Sequence, residues 1–178
     1  ITSWGREHEA EAFRNMLESY PSGLVAVVSD SYDIFRAVSD IWGSTLRKEV
    51  LAREGTVVIR PDSGDPPPTV LEVLKRLGAA FGTSTNSKGY KVLDPHVRVI
   101  QGDGIDRLMV PRILTVIEKA GWSADNIAFG SGGGLLQKVN RDTQAFAFKC
   151  QAAKVGGTWR DVYKSPVTEP LKRSKAGR

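Results

Sequence analysis

A single cysteine, Cys150, stands in the whole chain, and one thiol cannot form an intrachain disulfide. It closes the apolar run Ala145-Phe146-Ala147-Phe148-Lys149-Cys150, which reads as a strand, so a buried, inert thiol is expected. Histidine is almost as scarce. His8 and His96 lie far apart with no metal-ligand spacing, so no metal site is assigned and no Ser-His-Asp arrangement is supported. His8 sits in a charged helical stretch and His96 in a loop after Pro95, and both read as solvated. The tryptophans at 4, 42, 122 and 159 lack cage-like spacing and are expected to pack. No apolar run approaches a membrane span and nothing resembles a signal peptide. A cytoplasmic protein without a membrane partner is therefore the default expectation.

What is present is an ordinary globular composition. The chain has 178 residues, 40% hydrophobic and 25% charged, enough for one domain with a real core. Much of the net charge of +5 comes from the tail Lys172-Arg173-Ser174-Lys175-Ala176-Gly177-Arg178. Such a tail suits nucleic acid or small anionic substrates. No aromatic residues alternate with its basic ones, which favours small anions and no nucleic-acid partner. The first residue is Ile1 and the end is abrupt, which reads as a piece of a longer protein.

Strand-like and helix-like stretches alternate. Residues 6–20 read as a helix with Ala10, Phe13 and Leu17 near helical spacing. Leu24–Val28 is a continuous apolar run, the mark of a strand buried on both faces. A helix over 32–43 closed by Gly43 follows, then the strand Thr56–Ile59 and an amphipathic helix over 69–78. The stretch 82–96 reads as an excursion or hairpin. Val97–Ile100 is a third strand, 106–120 a helix, and Ile127–Phe129 a fourth strand. The run at 145–150 reads as a fifth, returning after Gly156-Gly157 as 158–163, with a domain boundary near 142–150. Buried strands repeated with helices predict a parallel α/β sheet or barrel.

Sites in such folds form at the carboxyl ends of the strands. Those ends read Ser29-Asp30, Arg60-Pro61-Asp62, Gly102-Asp103 and Gly130-Ser131-Gly132-Gly133-Gly134. Glycines leave backbone N–H groups uncovered, and a following helix N-terminus favours an anion, with Lys138 and Arg141 near to supply charge. The run reads as a phosphate cradle. The carboxylates suit ribose hydroxyls or Mg²⁺, and Arg60 can stack on a planar ring or pair with phosphate. The competing structural readings are that Asp30 and Asp103 are helix N-caps and that Arg60 is the ion-pair partner of Asp62.

Five segments, Ser29-Asp30-Ser31-Tyr32-Asp33, Ile59-Arg60-Pro61-Asp62-Ser63-Gly64, Asn86-Ser87-Lys88-Gly89-Tyr90-Lys91, Val99-Ile100-Gln101-Gly102-Asp103-Gly104 and the long run from Ala128 to Lys138, together resemble the nicotinamide phosphoribosyltransferase family. Lys172-Arg173-Ser174-Lys175 also matches, so the resemblance covers nearly the whole chain in order.

The resemblance implies a type II phosphoribosyltransferase fold, an irregular TIM-like α/β barrel with a smaller domain. Residues 1–145 would form a partial barrel carrying the ribose-phosphate site. Residues 146–178 would form a hairpin and basic tail returning to the smaller domain. It implies reaction of nicotinamide with phosphoribosyl pyrophosphate to give nicotinamide mononucleotide, with Mg²⁺, coupled ATP hydrolysis through a phosphorylated histidine, and a homodimer. By motif, Arg60 borders the nicotinamide pocket, and Asp62 and Asp103 with Gly102 meet the ribose. Gly132, Gly133 and Arg141 receive the 5′-phosphate, and Asp30 orients the phosphohistidine. The expected catalytic residues are thus Asp30, Asp62 and Asp103. Two departures stand out. Ala26 occupies the position of a serine that bonds the carboxamide, and the phosphorylatable histidine falls before Ile1, so the 178-residue piece alone is expected to be inactive. The alternatives are nicotinate phosphoribosyltransferase, a non-catalytic sugar-phosphate-binding protein, or a nucleic-acid binder using the tail.

Overall fold

Each of the four apolar runs forms a strand in a computed structural model of the chain, which describes every residue except Ala145, Ala147, Glu169 and Arg178. Two compact units result, Ile1–Lys138 and Val139–Arg178. The strands of the first are β1 (Ser22–Val28), β2 (Glu54–Arg60), β3 (Thr83–Thr85), β4 (Lys91–Leu93), β5 (Val97–Gln101) and β6 (Ile127–Phe129). Its helices are α1 (Glu9–Ser19), α2 (Ile34–Arg36), α3 (Arg47–Ala52), α4 (Pro66–Phe81), α5 (Met109–Lys119) and the single turn α6 (Gly133–Leu136).

The main sheet has the order β1-β2-β5-β6, every pair parallel. Strands β3 and β4 form the antiparallel hairpin expected within 82–96. One sheet face supplies Val25, Val27, Val57, Ile59, Val97 and Val99 to the core, all buried. Helix α4 packs there through Val70, Val73, Leu74 and Leu77, the 3-and-4 spacing of an apolar stripe. Three prolines in its first turn, Pro66, Pro67 and Pro68, cost no hydrogen bond, because the N–H groups there have no helical partner.

The expectation that β1 is buried on both faces is corrected. Leu24 is 78% exposed and Ala26 is exposed, so burial alternates along the strand. A continuous apolar run marks a doubly covered strand only when both faces are packed, and here one is. The helix expected to close at Gly43 continues as a π-helix from Ala37 to Thr45. Gly43 is a packing glycine: a Cβ there would lie 2.7 Å from the Ala80 Cβ and 2.8 Å from the Val38 carbonyl. Trp42 and Trp122 are buried as expected, Trp42 stacked on Phe13 at 4.6 Å, whereas Trp4 and Trp159 are about half exposed.

Arg53 fastens the amino-terminal end of β1. Arg53 is 7% exposed, and its guanidinium donates to the carbonyls of Tyr20, Ser22 and Gly23. Burial lowers its pKa.

In the second unit, β7 (Ala152–Val155) and β8 (Thr158–Asp161) pair antiparallel. Gly156 and Gly157 both have positive φ, 56° and 84°, as a two-residue hairpin turn of matching twist requires. That turn fixes the first strand directly before it, not at 145–150. Phe146 and Phe148–Cys150 have no regular structure, Ala145 and Ala147 lie outside the described residues, and Cys150 is exposed instead of buried.

Candidate active site

Parallel pairing brings four carboxyl ends to one edge of the sheet. Asp30 follows β1, and one of its carboxylate oxygens accepts from the Asp62 N–H at 2.8 Å and from the Ser63 hydroxyl at 2.5 Å. It thereby ties the end of β1 to the loop after β2. Arg60 ends β2 and donates to Asp62 Oδ1 at 2.9 and 3.2 Å. Both side chains are 41% exposed, so the pair contributes little stability and its geometry is what matters. The guanidinium lies against Gly102 at the end of β5. A Cβ at Gly102 would sit 3.3–3.4 Å from three of its atoms. Gly102 in turn touches Gly130, whose Cβ position is 3.4 Å from the Gly102 Cα. The sequence-predicted Asp30, Arg60, Asp62 and Gly102 therefore form one continuous contact chain reaching the glycine run.

The glycine run edges a cleft of about 330 Å³ lined by Gly102, Gly104, Ile105, Asp106, Gly132, Gly133, Gly134 and Lys138. Gly132 and Gly133 have open space where a side chain would be, whereas a Cβ at Gly134 would meet the Ile105 carbonyl at 2.5 Å. Ser131 Oγ donates to that same carbonyl at 2.9 Å, which pins the run to the loop after β5. The helix expected after the glycines is one turn long. Its dipole adds little, and an anion in this cleft would rely on uncovered N–H groups and Lys138. Lys138 is paired with Asp106 at 2.5 Å. That bond, with the Met109 and Leu108 N–H groups, lowers the Asp106 pKa to about 2.

The capping alternative fails for both candidates. The residue capping α2 is Asp33, whose carboxylate accepts from the Phe35 and Arg36 N–H groups. Its pKa is lowered chiefly by the Arg36 bond. Ahead of α5 the equivalent work is done by Asp106. Asp103 is exposed, and its carboxylate has no partner among the described residues. The ion-pair alternative for Arg60 does hold. Arg141 falls in the second unit, where it donates to its neighbour Asp142 at 2.7 Å. His8 is exposed as expected, while His96 is partly buried against Asp94 at 2.7 Å.

Among the described residues no three His, Cys, Asp or Glu side chains converge as a metal cage. Mg²⁺ held through substrate phosphates and one or two carboxylates needs no cage, and the unengaged Asp103 fits such a role.

A sequence-family model for nicotinate phosphoribosyltransferases matches residues 1–178. The chain belongs to the nicotinate phosphoribosyltransferase family. Its parallel sheet with flanking helices is part of the type II phosphoribosyltransferase fold of that family. The chain is 60% identical over 180 residues to a nicotinamide phosphoribosyltransferase of Xanthomonas campestris, matching 100% of this chain and 38% of that protein. Identity is 37% over 187 residues to the Mycoplasma pneumoniae protein of that name, covering 98% and 41% of the two chains. It is 35% over 192 residues to the one from Acinetobacter baylyi, covering 96% and 38%. The chain thus spans about two fifths of the length of these curated relatives.

Within this family member, three residues of the site escaped the sequence reading. Ser63 lay inside a recognised motif with no role attached. Asp106 was recoverable from its place just before a helix. Gln101 also lay inside a quoted motif, directly after the apolar run Val97–Ile100, with no role attached.

Proposed function

We propose that this chain contributes the ribose-phosphate part of the active site to a protein that transfers a phosphoribosyl group from phosphoribosyl pyrophosphate to nicotinamide. The products are nicotinamide mononucleotide and pyrophosphate. The observation that carries the reading is the contact chain Asp30–Asp62–Arg60–Gly102 meeting the open cleft at Gly132 and Gly133. The names of the three relatives favour nicotinamide over nicotinate as the base.

The ring nitrogen of nicotinamide attacks C1 of the ribose as the C1–O bond to pyrophosphate breaks. Positive charge develops on the sugar, as in glycoside cleavage. Asp103, without a partner among the described residues, and Asp62 are the carboxylates assigned to stabilise it. Arg60 borders the base, its plane held by Asp62 on one side and Gly102 on the other. Uncovered N–H groups at Gly132 and Gly133 receive the 5′-phosphate. Mg²⁺ held by Asp103 would neutralise the departing pyrophosphate. Asp30 is assigned both to the Asp62 loop and to a phosphohistidine that couples ATP. No helix among the described residues is long and apolar enough to cross a membrane, and a cytoplasmic homodimer completes the reading.

The experiment is product formation by a protein of the relatives' full length containing this chain, with Asp62→Asn and Asp103→Asn as variants. Loss of turnover in both supports the roles, and parental rates in both refute them.

A further inference from the structure

Gln101 ends β5 with its side chain fully buried, on the same face as Val97 and Val99. A buried amide in an apolar setting costs free energy unless its groups are paired. Here only one end is. Nε2 donates to the Asp103 carbonyl at 3.0 Å, while Oε1 has no partner among the described residues. Leucine would fill this core position without that penalty, so packing alone does not explain a glutamine. The backbone adds a second link, since the Gly130 N–H donates to the Gln101 carbonyl at 2.9 Å. Gln101 is thus bonded to both loops of the proposed site. Its side chain holds the turn Gly102-Asp103-Gly104, and its main chain holds the start of the glycine run. Gly104 has φ of 66°, a conformation that a turn must be held in.

We propose that Gln101 is a positioning residue, whose amide fixes the Asp103 turn so that the Asp103 carboxylate and the glycine cleft address one sugar phosphate. The inference rests on the proposed function for the identity of that ligand. No contact between Gln101 and the ligand is required.

The test uses ribose 5-phosphate as the probe, titrated by calorimetry into the full-length protein at pH 5.5 and pH 8, with thermal midpoints recorded. Gln101→Met keeps the volume and loses the donor. It should weaken binding roughly five- to tenfold at both pH values, the worth of one hydrogen bond, with a midpoint near the parent's. Gln101→Glu presents a carboxylate to a carbonyl at pH 8 and a donating carboxyl at lower pH. Its affinity, as a ratio to the parent at the same pH, should recover at pH 5.5. A core-filling role predicts a lowered midpoint with no such recovery. Parental affinity in both variants, or a Glu variant that tracks the Met variant at both pH values, overturns the proposal. A parent that does not bind ribose 5-phosphate overturns the functional reading on which it rests.

Discussion

Adjacent glycines in the cleft should respond in opposite ways to the same added methyl. At Gly133 a Cβ meets nothing within 4 Å, and the residue is helical. Gly133→Ala should leave the fold intact or stabilise it by about 0.5–1 kcal/mol, through lower chain entropy when unfolded. At Gly134 the Cβ would lie 2.5 Å from the Ile105 carbonyl oxygen, a backbone atom. Something must shift, and overpacking of this kind costs about 1–3 kcal/mol. Ligand binding should reverse the pattern's meaning. The Gly133 methyl stands in the cleft and keeps a phosphate oxygen from an N–H. Loss of one hydrogen bond to a charged group costs about 1.5–3 kcal/mol, or roughly 10- to 150-fold in Kd. Urea denaturation gives the first quantity and titration with phosphoribosyl pyrophosphate the second. Parental affinity in Gly133→Ala, or equal destabilisation in the two variants, would refute the reasoning.

Other outcomes follow from the same contacts. Arg53→Met strands three carbonyls that now share a buried guanidinium, and should cost about 3 kcal/mol in denaturant unfolding; a cost below about 0.5 kcal/mol would contradict the clamp. The Asp106 pKa is depressed from 3.8 to about 2, so its pairing with Lys138 is complete above 3.8 and is lost as pH falls through about 2. Carboxyl titration by NMR checks this, and an Asp106 midpoint near 3.8 would remove the Lys138 bond. Ser63→Ala deletes one of two bonds that Asp30 makes to the Asp62 loop, and should lower turnover with and without ATP alike. A loss confined to the ATP-stimulated rate would instead mean that Asp30 acts only through the phosphohistidine.

Most of the sheet was legible because its signals are local. The runs Leu24–Val28, Thr56–Ile59, Val97–Ile100 and Ile127–Phe129 all lie within strands, and the amphipathic stripe from Val70 to Leu77 lies within α4. What failed depended on what packs where. Nothing in Leu24 or Ala26 says that their side of the sheet is open, and Gly43 reads as a terminator until Ala80 is set against it. The 145–150 run looked like a strand by composition, yet the Gly156-Gly157 turn selects the residues beside it. The residues of the candidate site were placed at the strand ends from the apolar runs alone. Its connections were not legible, because the bonds from Asp30 to Ser63 and from Ser131 to Ile105 join segments 33 and 26 residues apart.

Ala26 has no hydroxyl to offer a carboxamide, so the choice of base tests the proposed reaction most directly. The decisive measurement is mononucleotide formation from phosphoribosyl pyrophosphate by the full-length protein, with nicotinamide and nicotinate compared with and without ATP. The expected result is preference for nicotinamide and stimulation by ATP, with no product from the 178-residue chain alone. Preference for nicotinate, or no product from either base, would contradict it.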